Sequence, residues 1–273
     1  MDKLNSVRMD LMSSKQAQAY LKKNDLVILP VGCFEMHGPD IPLGCDTFID
    51  WSFALLLGKE WGCPVLPPVY YTFPGASGPW PGTVEISNRV TMAYVQEIAL
   101  ALIRNGFKRV VLSGSHGPLG TMLECVVRDI FYQTGNVVIH LQPYGAITKG
   151  MKEAKLPFGE DGIVLASLKI LGLHGIYDPA SKVDAPCEFP FQTIADLRKA
   201  NAAMPWTFAH DYQHTGLRKK LKMKDADGIV KVMEKAAKGM KDLPKNFAQY
   251  QKQMEKLYKD KPWNKASIWT KTK

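Results

Sequence analysis

Two rhythms of apolar residues alternate along this chain. Residues 26–31 form an unbroken apolar run that stops at Gly32, and such a run predicts a strand covered on both faces, as in a parallel sheet. Residues 109–113 (RVVLS) and 136–141 (NVVIHL) read the same way, and 63–69 (CPVLPPV) reads as a proline-interrupted strand. Between these runs the spacing becomes helical. Phe48, Trp51, Ala54 and Leu55 follow a start at Asp46 or Thr47 and lead toward Gly58. Met92, Val95, Ala99, Leu102 and Ile103 follow a cap at Asn88 and stop at Asn105-Gly106. Leu119, Met122, Leu123, Val126, Val127, Ile130 and Phe131 make a third face, and Val164, Leu168 and Leu171 a fourth that ends at Gly172. Glycine or asparagine after the last periodic residue is the expected stop signal.

Near the N-terminus, Ser13 or Ser14 is placed to cap a short helix through Tyr20 and Leu21. At the other end, Ile229, Val232, Met233, Ala236, Ala237 and Met240 share one helical face, and Phe247, Tyr250, Met254 and Leu257 another. These amphipathic helices, spanning 225–258, need a partner surface on the core or on a neighbouring subunit. Residues 73–83 are too rich in glycine and proline for regular structure, 143–162 read as a polar loop, and 175–192 as a proline-rich oligomer contact or lid. Strand–helix alternation without linker or repeat predicts a single three-layer α/β/α domain over residues 1–273, with a mostly parallel central sheet.

Chemistry-bearing residues gather where the first apolar run ends. Glu35 and His37 are one residue apart, so in an extended segment their side chains point the same way. Asp46 follows after a connector shaped by Gly38, Pro39, Pro42 and Gly44. Two carboxylates and an imidazole in so short a span suit half of a divalent-metal site; on spacing alone, an ordinary polar loop is the alternative. His116 closes the strand at 109–113 and precedes a helix, which puts it at the carboxyl end of the sheet, where open α/β sheets bind ligands; a histidine held in a tight turn is the other reading. His140, inside a strand, is assigned to the core. His210 and His214 stand four apart and are read as surface or interface residues.

The run LPVGCFEMHGPDIPLGCDT, residues 29–47, resembles the signature of the creatininase family, metal-dependent amidohydrolases with an α/β/α fold. The resemblance covers residues 26 to about 172 and grows weak beyond. It implies that Glu35, His37 and Asp46 are metal ligands. His116 matches the histidine of the family's GHGGN-like run, with Pro118, Leu119 and Gly120 following in place of its second glycine and asparagine. Glu160 matches the ligand glutamate of the family's HAGE run, whose histidine is Pro157 here. Around residues 75–83 Gly75, Ser77 and Pro81-Gly82-Thr83 remain of a family motif while its Glu-His pair is missing. That segment is read as a substrate-facing loop, with Ser77 and Trp80 (and Phe73) as candidates to touch substrate.

The resemblance thus implies two divalent ions per chain, Zn2+ and/or Mn2+, held by Glu35, His37, Asp46, His116 and Glu160, with Asp46 as the bridging carboxylate. Water activated there would attack the carbonyl of a small cyclic or formyl amide. Hydrolytic C–C cleavage of a cyclic polyol diketone, as in a 3-dehydro-scyllo-inosose hydrolase, is the alternative within the family, and a non-catalytic metal- or ligand-binding descendant the alternative outside it. The family's members are usually oligomers, often hexamers, so a homo-oligomer is implied.

Composition removes other classes. Apolar residues at 46% and charged ones at 22% are ordinary for a soluble globular chain. The net charge of +9 lies mostly after residue 217, where lysine recurs between apolar positions. No base-stacking motif accompanies it, so no nucleic-acid partner is expected. Five cysteines without CxxC spacing point to a reduced compartment. The first residues lack an apolar signal region and no run has the length of a membrane span. A cytoplasmic protein acting on a small molecule, with no membrane partner, is expected.

Overall fold

The computed structural model describes residues 2–38, 41–75, 77–156, 159–174, 192–204 and 223–261. Strands β1 (Leu26–Pro30), β2 (Arg109–Ser113) and β3 (Val138–Leu141) lie side by side in that order, all parallel. The register sets Pro30 beside Ser113 and Ser113 beside Leu141, so the three carboxyl ends finish level. The helices in chain order are α1 (Asp2–Asn5), α2 (Ser14–Leu21), α3 (Cys45–Trp61), α4 (Asn88–Arg104), α5 (Leu119–Thr134), α6 (Tyr144–Glu153), α7 (Glu160–Leu171), α8 (Gln192–Lys199), α9 (Met223–Gly239) and α10 (Leu243–Asp260).

Alternation along the strands explains the layers. Leu26, Ile28 and Val111 face a core shared with α3, α7 and α9. Val27, Leu29, Val110 and Leu112 face a second core built by α4 and α5. Side chains of successive residues point to opposite faces, so an all-apolar strand supplies both cores at once. The result is an α/β fold with a parallel sheet between helical layers. The C-terminal helices dock on the first core: α9 buries Ile229, Met233 and Ala237, and α10 buries Phe247. Trp61 Nε1 also donates to Met240 O at 2.9 Å.

Several expectations are corrected. Residues 63–69 are not a ladder strand among the described residues; they touch the sheet only through single bridges, Val65 to Ile28 and Val69 to Val31. Pro64, Pro67 and Pro68 have no N–H to donate, which prevents a continuous ladder. Helix α3 ends at Trp61, with Gly58 near its end as expected. Gly58 is an interior residue over which the 63–69 segment passes, since a Cβ there would stand 2.5 Å from Val65 Cγ2. Ser87 rather than Asn88 caps α4, its hydroxyl accepting from Val90 N. Ser13 caps α2 in a reciprocal pair with Gln16. Within the expected loop 143–162, residues 144–153 are α6; only Ile147 and Met151 are buried on it, too thin a stripe for periodicity to register. His140 is half-buried rather than sealed, its Nε2 3.0 Å from Gly114 O. Pro157, almost all of the 175–192 segment, His210 and His214 lie outside the described residues. No helix among the described residues is long and apolar enough to cross a membrane.

Candidate metal centre

The segment leaving β1 is held in place by backbone and hydroxyl contacts before any functional side chain is considered. Thr72 Oγ1 donates to Gly32 O at 2.6 Å, and Thr47 Oγ1 donates to Cys33 O at 2.9 Å. Glu35 N donates to Leu43 O at 2.9 Å, closing the loop between β1 and α3. The N-terminus of α3 presses against this segment at Gly32, where an added Cβ would lie 2.4 Å from Thr47 Cα. Glycine is therefore required for the approach that brings Asp46 over the end of β1. His116 arrives from the end of β2, and its turn continues directly into α5.

Glu35, His37, Asp46 and His116 are all buried, and they meet at one place. His116 Nδ1 lies 3.2 Å from Glu35 Oε1 and 3.2 Å from Asp46 Oδ2. His37 Nε2 lies 3.3 Å from Asp46 Oδ2 and 3.8 Å from Glu35 Oε1. Donors around one zinc-sized ion, bound at ~2.0–2.1 Å in a tetrahedron, stand ~3.3–3.4 Å apart. Three of the four spacings lie close to that value, and the fourth, 3.8 Å, is wider. Asp46 Oδ2, although close to both imidazoles, makes no well-aligned hydrogen bond with them. The donor set fits a divalent ion.

Neighbouring groups aim these donors. The His37 Nδ1 pairs with Glu35 O at 3.1 Å; with the proton on Nδ1, the lone pair of Nε2 is turned toward the carboxylates. Ser77 Oγ donates to Glu35 Oε2, leaving Oε1 for the cluster. Its hydroxyl, read from sequence as facing substrate, is thus engaged with Glu35. Trp80 is half-buried on the same loop, its backbone N–H donating to Ser77 O at 3.0 Å. Glu160 is the first residue of α7, which packs against α3.

Without a cation the charges compensate internally. Burial pushes Glu35 up to about 7, partly offset by the charge on His116. Burial would also raise Asp46, but His37 and His116 outweigh it and hold that carboxyl well below its ordinary range. Burial would lower His116, yet Asp46 raises it well above its ordinary value. Glu35 and His116 are thus both shifted toward holding a proton, and a bound divalent cation would oppose both shifts.

Two residues at this centre escaped the sequence reading. Cys33 is buried with its sulfur beside Glu35, Asp46 and His116. The alternation that pairs Glu35 with His37 extends back to position 33, which was the available signal. Asp50 is the other. It lies one turn beyond Asp46 on α3, fully buried, and its Oδ2 accepts the N–H of Ser115 at 2.8 Å.

A parallel sheet between helical layers, with a buried histidine and carboxylate cluster at its carboxyl edge, defines an α/β protein built around a constellation of groups that could hold a cation. The chain belongs to the creatininase family: the profile for that family, described as creatinine amidohydrolase, matches residues 10–175. It is 30% identical over 154 residues to the 3-dehydro-scyllo-inosose hydrolase of Thermotoga maritima, covering 56% of this chain and 50% of that one. It is 27% identical over 117 residues to a creatinine amidohydrolase of Pseudomonas putida, covering 41% and 45%. It is 33% identical over 114 residues to a mycofactocin precursor peptide peptidase of Mycolicibacterium smegmatis, covering 40% and 46%. The chain thus matches about half the length of these curated relatives. A manganese form of creatininase superposes with a TM-score of 0.63 at 20% identity, over 86% of this chain and 98% of that one. A zinc–zinc form of a creatininase mutant gives 0.62 at 19%, over 86% and 97%. At such identities the likeness is one of fold.

Proposed function

We propose that this chain is a divalent-metal-dependent hydrolase that cleaves a C–N bond in a small cyclic or formyl amide. The observation that carries this reading is the buried meeting of Glu35, His37, Asp46 and His116, with donor spacings of 3.2–3.8 Å. Two ions per chain, Zn2+ and/or Mn2+, are proposed, which Glu35, His37, Asp46, His116 and Glu160 would hold. Curated relatives named for amide and peptide hydrolysis, and solved relatives described with manganese and zinc, support it.

Bound divalent ions supply Lewis acidity and lower the pKa of water. The protein's own groups do the rest. Glu35 and Asp46 provide the negative charge that holds cations, and the walls around them exclude bulk water. The contact from His37 Nδ1 to Glu35 O keeps the ring turned so that Nε2 faces inward. Ser77 holds one oxygen of Glu35 so that the other stays aimed at the cluster. Pro157 replaces the family's histidine and can neither give nor take a side-chain proton, so the proton for the departing nitrogen comes from another group. A homo-oligomer in the cytoplasm belongs to the same proposal.

A second reading, hydrolytic C–C cleavage of a cyclic polyol diketone, is favoured by the relative from Thermotoga maritima. Steady-state assays of metal-loaded protein on cyclic amides, formyl amides, creatinine and keto-inositols separate the two. Turnover of a simple amide with slow or no turnover of creatinine is expected, because general acid–base assistance is worth ~10²–10⁴ in rate. Turnover of keto-inositols alone selects the second reading. Metal uptake without turnover of any of them overturns both in favour of a binding protein.

A further inference from the structure

Cys33 stands two residues before Glu35, on the segment between β1 and α3, and is fully buried. Its Sγ forms a group with donor atoms of Glu35, Asp46 and His116, all within 4.8 Å of one another. A buried cysteine ordinarily behaves as a small hydrophobic residue packed among apolar neighbours. Here the sulfur faces two carboxylates and an imidazole. Its contact with Phe73 O, at 3.9 Å, is too long to be its reason for being there. Within the same group Asp46 Oδ2 is buried with no hydrogen bond of good geometry, although two imidazole nitrogens stand 3.2 and 3.3 Å from it. This buried carboxylate oxygen points independently to a cation.

We propose that Cys33 is an additional, sulfur donor at this centre, and that it biases the position occupied with Glu35, Asp46 and His116 toward zinc-like, thiophilic ions and away from manganese. This rests on the metal-hydrolase reading above and goes beyond it by naming a ligand and a selectivity. Thiolate sulfur binds Zn2+ well, at ~2.3 Å, whereas Mn2+ prefers oxygen donors. On binding, a sulfur–metal bond forms and the thiol proton leaves to solvent, the electron pair of the S–H bond remaining on sulfur. Cys33 also shares the extended segment with Glu35 and His37, so its sulfur is held by the same backbone contacts that aim those ligands.

Cobalt(II) substitution tests the proposal without reference to activity. Titrating metal-free protein with Co2+ is expected to give visible ligand-field bands together with a near-ultraviolet band of sulfur-to-cobalt charge transfer. Cys33→Ser keeps the first and loses the second, and Cys45→Ser, altering the other buried cysteine nearby in sequence, keeps both. Competition between Zn2+ and Mn2+ in Cys33→Ser shifts against Zn2+ by about tenfold or more, the range usual for losing a group that supports a bound metal. Ligand-field bands without charge transfer in the unaltered protein overturn the role of Cys33 while leaving the metal site standing. Absence of any cobalt or zinc uptake overturns the metal reading and this proposal with it.

Discussion

The carboxylate of Asp50 accepts the backbone N–H of Ser115 at 2.8 Å, joining helix α3 to the residue before His116. Asp46 lies one turn earlier on the same helix. One helix end therefore supplies a donor to the centre and also braces the turn that carries another. Ser115 Oγ in turn accepts Tyr144 N at 3.1 Å, extending the brace to α6. Burial pushes Asp50 well above the usual carboxylate range, although the bond from Ser115 opposes this. Asp50→Ala leaves a buried N–H without its acceptor and is expected to cost about 1–3 kcal/mol. It should also weaken divalent-ion binding, because His116 loses its support. Asp50→Asn keeps an acceptor and should retain most of both. Thermal melts with and without metal measure the two effects; equal behaviour of the Ala and Asn variants would remove Asp50 from this role.

Glu35→Gln and Asp46→Asn each remove an anionic donor from the buried cluster while keeping nearly the same volume. Both are expected to lose most bound divalent metal and to keep a native far-ultraviolet circular dichroism spectrum. Elemental analysis of protein purified without chelator reads the first, and unchanged metal content in either variant contradicts the assignment. Saturating ion at about 100 times Kd should stabilise the unaltered protein by about 2.7 kcal/mol, and the variants far less.

The metal-free protein should become less stable as pH rises across the neutral range. Glu35 has its folded pKa raised from 4.5 to about 7, so the folded state holds its proton more tightly than the unfolded chain does. That contribution is fully present below pH 4.5 and is lost as pH rises through about 7. His116, also raised when folded, acts in the same sense above its ordinary value. Asp46, depressed when folded, acts oppositely, its contribution being lost only as pH falls below its ordinary 3.8. Saturating divalent ion should abolish or reverse the decline, since cations favour the ionised carboxylates and the neutral imidazoles. Denaturant melts of chelated protein at a series of pH values check the sign; a flat or rising profile between pH 4.5 and about 7 contradicts it.

Gly32→Ala should be more damaging than its size suggests. The added carbon would fall 2.4 Å from Thr47 Cα and 2.3 Å from Thr47 Oγ1. Since the obstacle is backbone, α3 has to move, carrying Asp46 and Asp50 with it. Overpacking of this kind costs about 1–3 kcal/mol, and the displacement should also lower metal affinity. Calorimetry of metal binding alongside thermal melts measures both. A variant with unaltered affinity would show that α3 can shift without disturbing the cluster.

Much of this arrangement is legible in the amino-acid sequence. Unbroken apolar runs at 26–31 and 109–113 carried the parallel sheet, because a strand buried on both faces has no polar alternation to hide. Helical spacing carried α3, α4, α5, α7, α9 and α10. That Glu35, His37, Asp46 and His116 would come together was legible from alternation, from their place at strand ends and from the family signature. Helix α6 was not, because its two buried residues make too little pattern. That Val65 passes over Gly58 was not legible either, because such packing is not written in periodicity.

By itself the sequence determined which residues could serve as donors and which runs would form strands and helices, since both depend on residue type and local spacing. Tertiary structure alone decided that His116 meets Asp46 at 3.2 Å, though the two are far apart in the chain. It alone placed the Asp50 carboxylate under Ser115 and the sulfur of Cys33 among the charged donors. Those relationships arise from the level carboxyl ends of β1 and β2 and from the close passage of α3 over Gly32. Distances between segments far apart in the chain are set by packing, and no local pattern of residues encodes them.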